Sequence, residues 1–202
     1  MRYILVGSGI NNLSNCYQKE VTDEIWAIDG GIKALYELKI IPNYFIGDND
    51  SANLTNIKVT KETIILNPCK DVSDLEACLE IINSKYKGEE INIYNITGGR
   101  CDHFLANIRL LIKYHNMHIT IIDNQNKIYL ISENNEYKIK KSQYKYVSFF
   151  NIYDDTVISL NGFKYNLNNH HLERFNNLCL SNEIINEGVV TTNKKLICIE
   201  AN

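Results

Sequence analysis

The chain has 202 residues, 45% of them hydrophobic and 22% charged, with a formal net charge of −3. This is an ordinary globular composition, long enough for one large domain or two small ones. Its slight acidity argues against a nucleic-acid partner, which needs a clustered basic surface, and no run approaches the roughly 20 apolar residues of a membrane span.

The N-terminal seven residues are too short an apolar stretch for a signal peptide, so a cytoplasmic protein is expected. Six cysteines occur without a Cys-x-x-Cys pair. They are expected to be reduced thiols acting as small hydrophobes, and the five histidines lack zinc-ligand spacing.

Residues 2–6 form a predicted strand followed by Gly7-Ser8-Gly9. A second strand, 24–28, ends at Asp29-Gly30-Gly31. Residues 32–38 read as a helix with Leu35 and Leu38 on one face. After Pro42 comes a short buried strand, 44–46, and then another at 63–66, stopped near Pro68. Residues 73–86 predict a helix in which Leu75, Cys78, Leu79 and Ile82 form one apolar stripe. A strand at 91–96 leads into Thr97-Gly98-Gly99. A helix at 102–114 follows, with Leu105, Ile108, Leu111 and Ile112 turned inward, and then a strand at 118–122. Strands alternating with helices imply βαβ units and a mainly parallel sheet.

Beyond residue 122 the pattern changes. A polar stretch, Asp123-Asn124-Gln125-Asn126, precedes short β-rich runs at 127–131, 136–139, 146–151, 156–160, 163–167, 188–192 and 196–199. Asn161-Gly162 predicts a hairpin turn between two of them. His170 and His171 are expected in a loop. The fold class is therefore α/β: an N-terminal mainly parallel αβα sheet domain, residues 1–122, followed by a smaller C-terminal antiparallel β-sandwich domain, residues 127–202.

The most informative stretch is Ile46-Gly47-Asp48-Asn49-Asp50-Ser51. Asp48 and Asp50 are two apart, so in extended backbone both carboxylates project to one side. Two such groups repel unless a cation lies between them. Mg²⁺ takes one or two carboxylates and completes its shell with water and substrate phosphates. The competing reading is a solvated turn, since Gly, Asp, Asn and Ser are ordinary turn residues. The other polar residues bear on the choice. Asp29, Asp48 and Asp50, Asp71 and Asp74, and then Gly98 to His103 all follow predicted strands. In open α/β sheets, ligands bind outside the carboxyl ends of the strands. Each residue also has a plain structural use: Ser73 with Glu76 as a capping box around Asp74, Asp102 as a first-turn acid, His103 with Asn107 on one helix face. No G-x-G-x-x-G and no P-loop motif occurs.

Together, Asp29-Gly30-Gly31, the 46–51 stretch, Lys70-Asp71-Val72-Ser73-Asp74 and Gly98-Gly99-Arg100-Cys101-Asp102-His103 with Asn107 resemble the thiamine pyrophosphokinase family. Gly162-Phe163-Lys164-Tyr165 and Leu180-Ser181-Asn182 extend the resemblance more loosely across the C-terminal part. It implies an α/β domain plus a β-sandwich, and Mg²⁺-dependent transfer of pyrophosphate from ATP to the thiamine hydroxyl. It also implies a homodimer whose site is shared between subunits.

By the same resemblance, Asp48, Asp50 and Asp74 would hold Mg²⁺ with Asp29 nearby. Arg100 would contact ATP phosphates, and Asp102 and His103 would shape the site of transfer. Asp71 or Asp102 would accept the hydroxyl proton. Gly30, Gly31, Ser51, Lys70, Gly98, Gly99 and Asn107 would line the nucleotide site, and Ser181 and Asn182 the thiamine pocket. Some members carry a tryptophan after the Ser-Asn pair. Here Glu183 and Ile184 follow, and the sole tryptophan is Trp26. A pyrophosphokinase acting on another hydroxymethyl heterocycle, such as a pterin, and a non-catalytic thiamine- or nucleotide-binding module are the alternatives.

Overall fold

The computed structural model describes residues 1–48, 57–67, 69, 71–174 and 176–202. The chain divides into two compact units, Met1–Asn124 and Gln125–Asn202.

The first unit runs β1 (Arg2–Val6), α1 (Leu13–Cys16), β2 (Asp23–Ile28), α2 (Gly31–Glu37), β3 (Tyr44–Gly47), β4 (Glu62–Ile65), α3 (Asp74–Asn83), β5 (Glu90–Tyr94), α4 (Cys101–Lys113) and β6 (His118–Ile122). The six strands lie in the order β4-β3-β2-β1-β5-β6, and each neighbouring pair is parallel. Their near-continuous apolar sequences suit a sheet covered on both faces. On one face Ile4, Val6, Ile25, Ala27 and Phe45 pack with Leu13 of α1 and with Ile32 and Leu35 of α2. Strand alternation sends Tyr3, Trp26 and Tyr44 to the other face, where Lys85, just beyond α3, lies over their rings. Lys113 of α4 pairs with Glu76 and Glu80 of α3, so these two helices are neighbours.

Leu75, Cys78, Leu79 and Ile82 of α3 are buried, as their spacing predicts. The stripe on α4 holds only in part. Leu111 is buried, but Leu105 is 61% exposed. Only half of the capping box forms as well. Ser73 Oγ accepts from the Glu76 N–H at 3.2 Å, while the Glu76 carboxylate is taken by Lys113.

The second unit contains β7 (Asn126–Ile131), β8 (Glu136–Lys140), β9 (Tyr146–Asn151), β10 (Thr156–Phe163), β11 (Leu167–Leu172), β12 (Ile184–Thr192) and β13 (Leu196–Ala201). They form two antiparallel groups, β7-β13-β9 and β11-β10-β12-β8. Side chains of both groups meet in one core, including Ile131, Val147, Phe149, Ile158, Leu160, Phe163, Val190 and Leu196. Phe149 and Phe163 pack edge to face at 5.7 Å.

Asn161-Gly162 is not a hairpin turn. It lies inside β10, where the register against β12 shifts between Asn161 and Phe163. The buried alternation Thr156, Ile158, Leu160 resumes at Phe163, and two steps along β10, Asn161 to Phe163, stand against five along β12, Val189 to Ile184. Gly162 sits at this bulged position of the pair, with φ +81° and a place at which a Cβ would stand 2.1 Å from the Glu187 carbonyl oxygen. The turn falls instead at Lys164, Tyr165 and Asn166, where Asn166 Oδ1 accepts from the Phe163 N–H at 3.0 Å. The strand expected at 163–167 is thereby displaced to β11. His170 and His171 consequently lie in that strand, paired with Ile158 and Val157, and not in a loop.

Buried Cys78, Cys179 and Cys198 serve as small hydrophobes, burial pushing the Cys179 thiol up to about 11. Cys69 and Cys101 are exposed.

Gly162→Val is expected to destabilise the protein by about 2 kcal/mol or more, from the left-handed backbone and the clash together. Thermal unfolding checks this, and a midpoint equal to that of the parent chain would contradict the bulge assignment.

Candidate active site

In the first unit, strand order reverses at β1. Strands β2, β3 and β4 build outward on one side, and β5 and β6 on the other. Loops leaving β1 and β5 therefore diverge and open a crevice between them. A cavity of about 240 Å³ occupies this place, lined by Gly7, Ser8 and Gly9 after β1, Ile28 and Asp29 at the end of β2, Ser73, Asp74 and Leu75 at the start of α3, Asn95 and Ile96 after β5, and His103 and Asn107 of α4.

Glycine is required here by close approach. A Cβ on Gly31 would lie 1.9 Å from the Val6 carbonyl oxygen, and one on Gly9 would lie 2.6 Å from that of Asn95. These contacts let α2 and the β1–α1 loop press against the strand ends. Gly98 and Gly99 have φ of +76° and +62°, turning the chain between β5 and α4.

Asp29 stands at the mouth of β2 with φ +49°. Its N–H donates to the Ile46 carbonyl at 2.8 Å. Its Oδ1 is buried and has no hydrogen-bond partner among the described residues. Asp74 opens α3 directly after its cap, Ser73, and faces the same cavity. Asp48 follows β3 and is half-buried. Asp50, Ser51 and Lys70 lie outside the described residues. Among those described, no three His, Cys, Asp or Glu groups gather into a metal cluster.

Arg100 and Asp102 face each other at the N-terminus of α4. Arg100 Nε donates to Asp102 Oδ1 at 3.1 Å and its Nη2 to Oδ2 at 2.6 Å. The His103 N–H donates to the same Oδ1 at 2.9 Å. Arg100, and then the His103 amide, hold the Asp102 carboxyl down at about 2. Asn107 Nδ2 donates to the Ile96 carbonyl at 3.0 Å, tying α4 to the loop after β5. Asp71 is exposed in the turn before α3 and is not among the residues lining the cavity. Gly30 adjoins Ser8, where a Cβ would sit 3.0 Å from the serine Cβ.

Ser181 and Asn182 lie in the second unit. Ser181 has φ +56° and its N–H donates to Ser148 Oγ at 2.9 Å. Asn182 is 3% exposed. Its Oδ1 accepts from the Tyr165 and Glu183 N–H groups, and its Nδ2 donates to the Tyr165 carbonyl at 2.8 Å. It borders a second cavity of about 300 Å³ with Leu160, Tyr165, Leu167, Leu178, Cys179 and Leu180. Trp26 is buried in the first unit, stacked on Tyr44 at 4.1 Å, and plays no part in either cavity.

A family model described as thiamin pyrophosphokinase, catalytic domain, matches residues 17–122. A second, thiamin pyrophosphokinase, vitamin B1 binding domain, matches residues 136–197. A thiamine pyrophosphokinase of Bacillus subtilis is 39% identical over 175 residues, spanning 81% of each chain. The chain belongs to the thiamin pyrophosphokinase family. Among solved structures of this family, one from Bacillus subtilis superposes with a TM-score of 0.87 at 32% identity, covering 100% of this chain and 99% of that one. One from Geobacillus thermodenitrificans gives 0.87 at 28%, covering 100% and 98%.

Sequence reasoning singled out the carboxylates but passed over Ser8 and Asn95. Gly7-Ser8-Gly9 after a strand was the signal for the first. For Asn95, the signal available was an asparagine, a residue that tolerates left-handed backbone, at a strand end.

The Asp102 pKa gives a direct test of the Arg100 contact. A carbon chemical-shift titration of the Asp102 carboxyl should show a midpoint near 2 in the parent chain. In Arg100→Ala the ionised form loses its main partner, so the midpoint should rise toward the ordinary value of about 3.9. An unmoved midpoint would contradict the pairing.

Proposed function

We propose that this member of the family transfers the pyrophosphoryl group of ATP to the hydroxyl of thiamine, releasing thiamine diphosphate and AMP. The observation that carries the reading is the crevice at the strand-order reversal, where carboxylates and close-packed glycines meet in a chain of this family. The thiamine hydroxyl oxygen bonds to the β-phosphorus of ATP. The bond from that phosphorus to the oxygen bridging toward the α-phosphorus breaks, and AMP leaves with the electron pair.

Such transfers need positioning and charge neutralisation more than covalent participation by the protein. Asp48, Asp50 and Asp74 would hold Mg²⁺ with Asp29 beside them. The fit is supported by Asp29 Oδ1, a buried anionic oxygen without a hydrogen bond among the described residues. Such an atom is costly to bury unless a cation compensates it. The lack of a three-residue cluster among the described residues is compatible with this, because Mg²⁺ is usually held by one or two carboxylates plus substrate phosphates. Mg²⁺ supplies neutralisation of phosphate charge when bound.

Arg100 releases Asp102 and turns its planar fork to the phosphates. Gly30, Gly31, Ser51, Lys70, Gly98, Gly99 and Asn107 line the nucleotide, and His103 shapes the crevice from α4. Either Asp71 or Asp102 accepts the hydroxyl proton. A late-departing proton in a loose transition state makes a weak acceptor sufficient. Ser181 and Asn182 belong to the thiamine pocket, where Asn182 acts by fixing the backbone of Tyr165. The first unit is the catalytic domain and the second the thiamine-binding domain.

The assembly inferred is a homodimer with the site shared between subunits. The compartment inferred is the cytoplasm, supported by six free cysteines. No described helix is long and apolar enough to cross a membrane.

The test is AMP formation from ATP and Mg²⁺ with and without thiamine, with the product mass recorded. AMP should require thiamine, and the product should gain one pyrophosphoryl group. Asp74→Asn should lower turnover by about 10²-fold or more, equivalent to roughly 3 kcal/mol of lost charge stabilisation, with the circular dichroism spectrum unchanged. Thiamine-independent silence, or full activity in Asp74→Asn, would contradict the reading.

A further inference from the structure

Asn95 is an interior polar residue at the crevice, and its side chain is bonded to the β1–α1 loop. It closes β5 with φ +55° and is 2% exposed. Its Oδ1 accepts from the Asn12 N–H at 3.1 Å, and its Nδ2 donates to Asn11 Oδ1 at 3.2 Å. Its carbonyl accepts from the Gly9 N–H at 2.7 Å. Asn11 Nδ2 in turn donates to Glu37 Oε2, at the end of α2, at 2.7 Å. One residue thus bonds three positions of the loop from Gly7 to Asn12, and the loop is tied onward to α2.

The two loops also interlock sterically. Gly9 abuts the Asn95 carbonyl so closely that a Cβ would not fit, and a Cβ on Gly98 would stand 2.5 Å from Ile10 Cδ1. The wall formed by Gly7, Ser8 and Gly9 therefore has its distance from His103 and Asn107 set through Asn95. The φ of Asn95 lies in a region that asparagine and glycine reach at low cost.

We propose that Asn95 is a positioning residue for the nucleotide: it holds the β1–α1 loop as a fixed wall of the crevice and acts through Asn11 and Asn12, not by contact with the reacting atoms. This rests on the reading of the crevice as the ATP site. The consequence is selective. Loosening the wall weakens ATP binding and leaves the thiamine requirement as it was.

Asn95→Gly keeps the left-handed backbone and removes the side-chain bonds. Asn11→Ala removes one bond partner that is not among the cavity-lining residues. The measurement is calorimetric titration of the full chain with ATP in Mg²⁺ buffer, for the parent, both single variants and the double variant, with the KM for thiamine measured alongside. Asn95→Gly should weaken ATP binding about tenfold and Asn11→Ala about threefold. The double variant should lose less than the two single losses combined, because both act through one bond network. The KM for thiamine should stay within twofold throughout. Parent-like ATP affinity in Asn95→Gly, independent addition of the two losses, or an equal rise in the thiamine KM would each overturn the proposal. If Asn95→Gly does not fold, parent-like affinity in Asn11→Ala overturns it. If the parent chain itself binds no ATP, the function proposed for the crevice fails first, and this inference falls with it.

Discussion

The structure depends on one geometric constraint: six parallel strands must all end at the same edge of their sheet. Each strand then delivers its next residues to a common side, and the reversal of order at β1 leaves a gap there that no described helix fills. Asp29 and Asp74 arrive at that gap from separate βα connections. Nothing local would bring carboxylates together at this cost. They are gathered because the strands that precede them are held in register by their own apolar packing.

The opposite edge of the same sheet is built on the reverse principle. Near the start of β2, Glu24 is 8% exposed, yet Lys61 and Lys85 reach its carboxylate at 2.6 and 3.3 Å and Trp26 Nε1 donates to it at 3.2 Å. Burial alone would raise its pKa, but the bonds from Lys61 and Trp26 outweigh that and lower it. At that edge a charge is compensated by neighbours that fix β2, β3 and β4 together. At the crevice edge, Asp29 Oδ1 is left without such a bond among the described residues. A sheet that satisfies charge at one end and withholds satisfaction at the other is suited to bind an ion with its ligand. The asymmetry is what the functional reading uses.

Much of this was legible in the sequence, because the first unit alternates strands with amphipathic helices and its carboxylates follow the strands. The stripe of Leu75, Cys78, Leu79 and Ile82 fixes the buried face of α3 by spacing alone. The misreadings have a common cause in long-range packing. Asn161-Gly162 carries a turn's local chemistry, but β10 continues through it to pair Phe163 with Ile184 of β12, so the glycine sits at an irregular position within the strand. Leu105 has core spacing, but it stays exposed within the described unit. The pairing of Arg100 with Asp102 and the bonds between Asn95 and the Asn11-Asn12 pair depend on loop conformation or on residues as much as 84 apart in sequence. No local pattern announces them.

The central claim is that the carboxylates at the strand ends are compensated by a divalent cation carried with the nucleotide. The direct measurement is calorimetric binding of ATP with and without Mg²⁺, in the parent chain and in Asp29→Asn. The account predicts that Mg²⁺ strengthens ATP binding to the parent chain at least tenfold, about 1.4 kcal/mol. It predicts that Asp29→Asn loses most of this increment, because the amide removes the uncompensated charge. ATP affinity indifferent to Mg²⁺ in the parent chain, or an undiminished Mg²⁺ increment in Asp29→Asn, would contradict it.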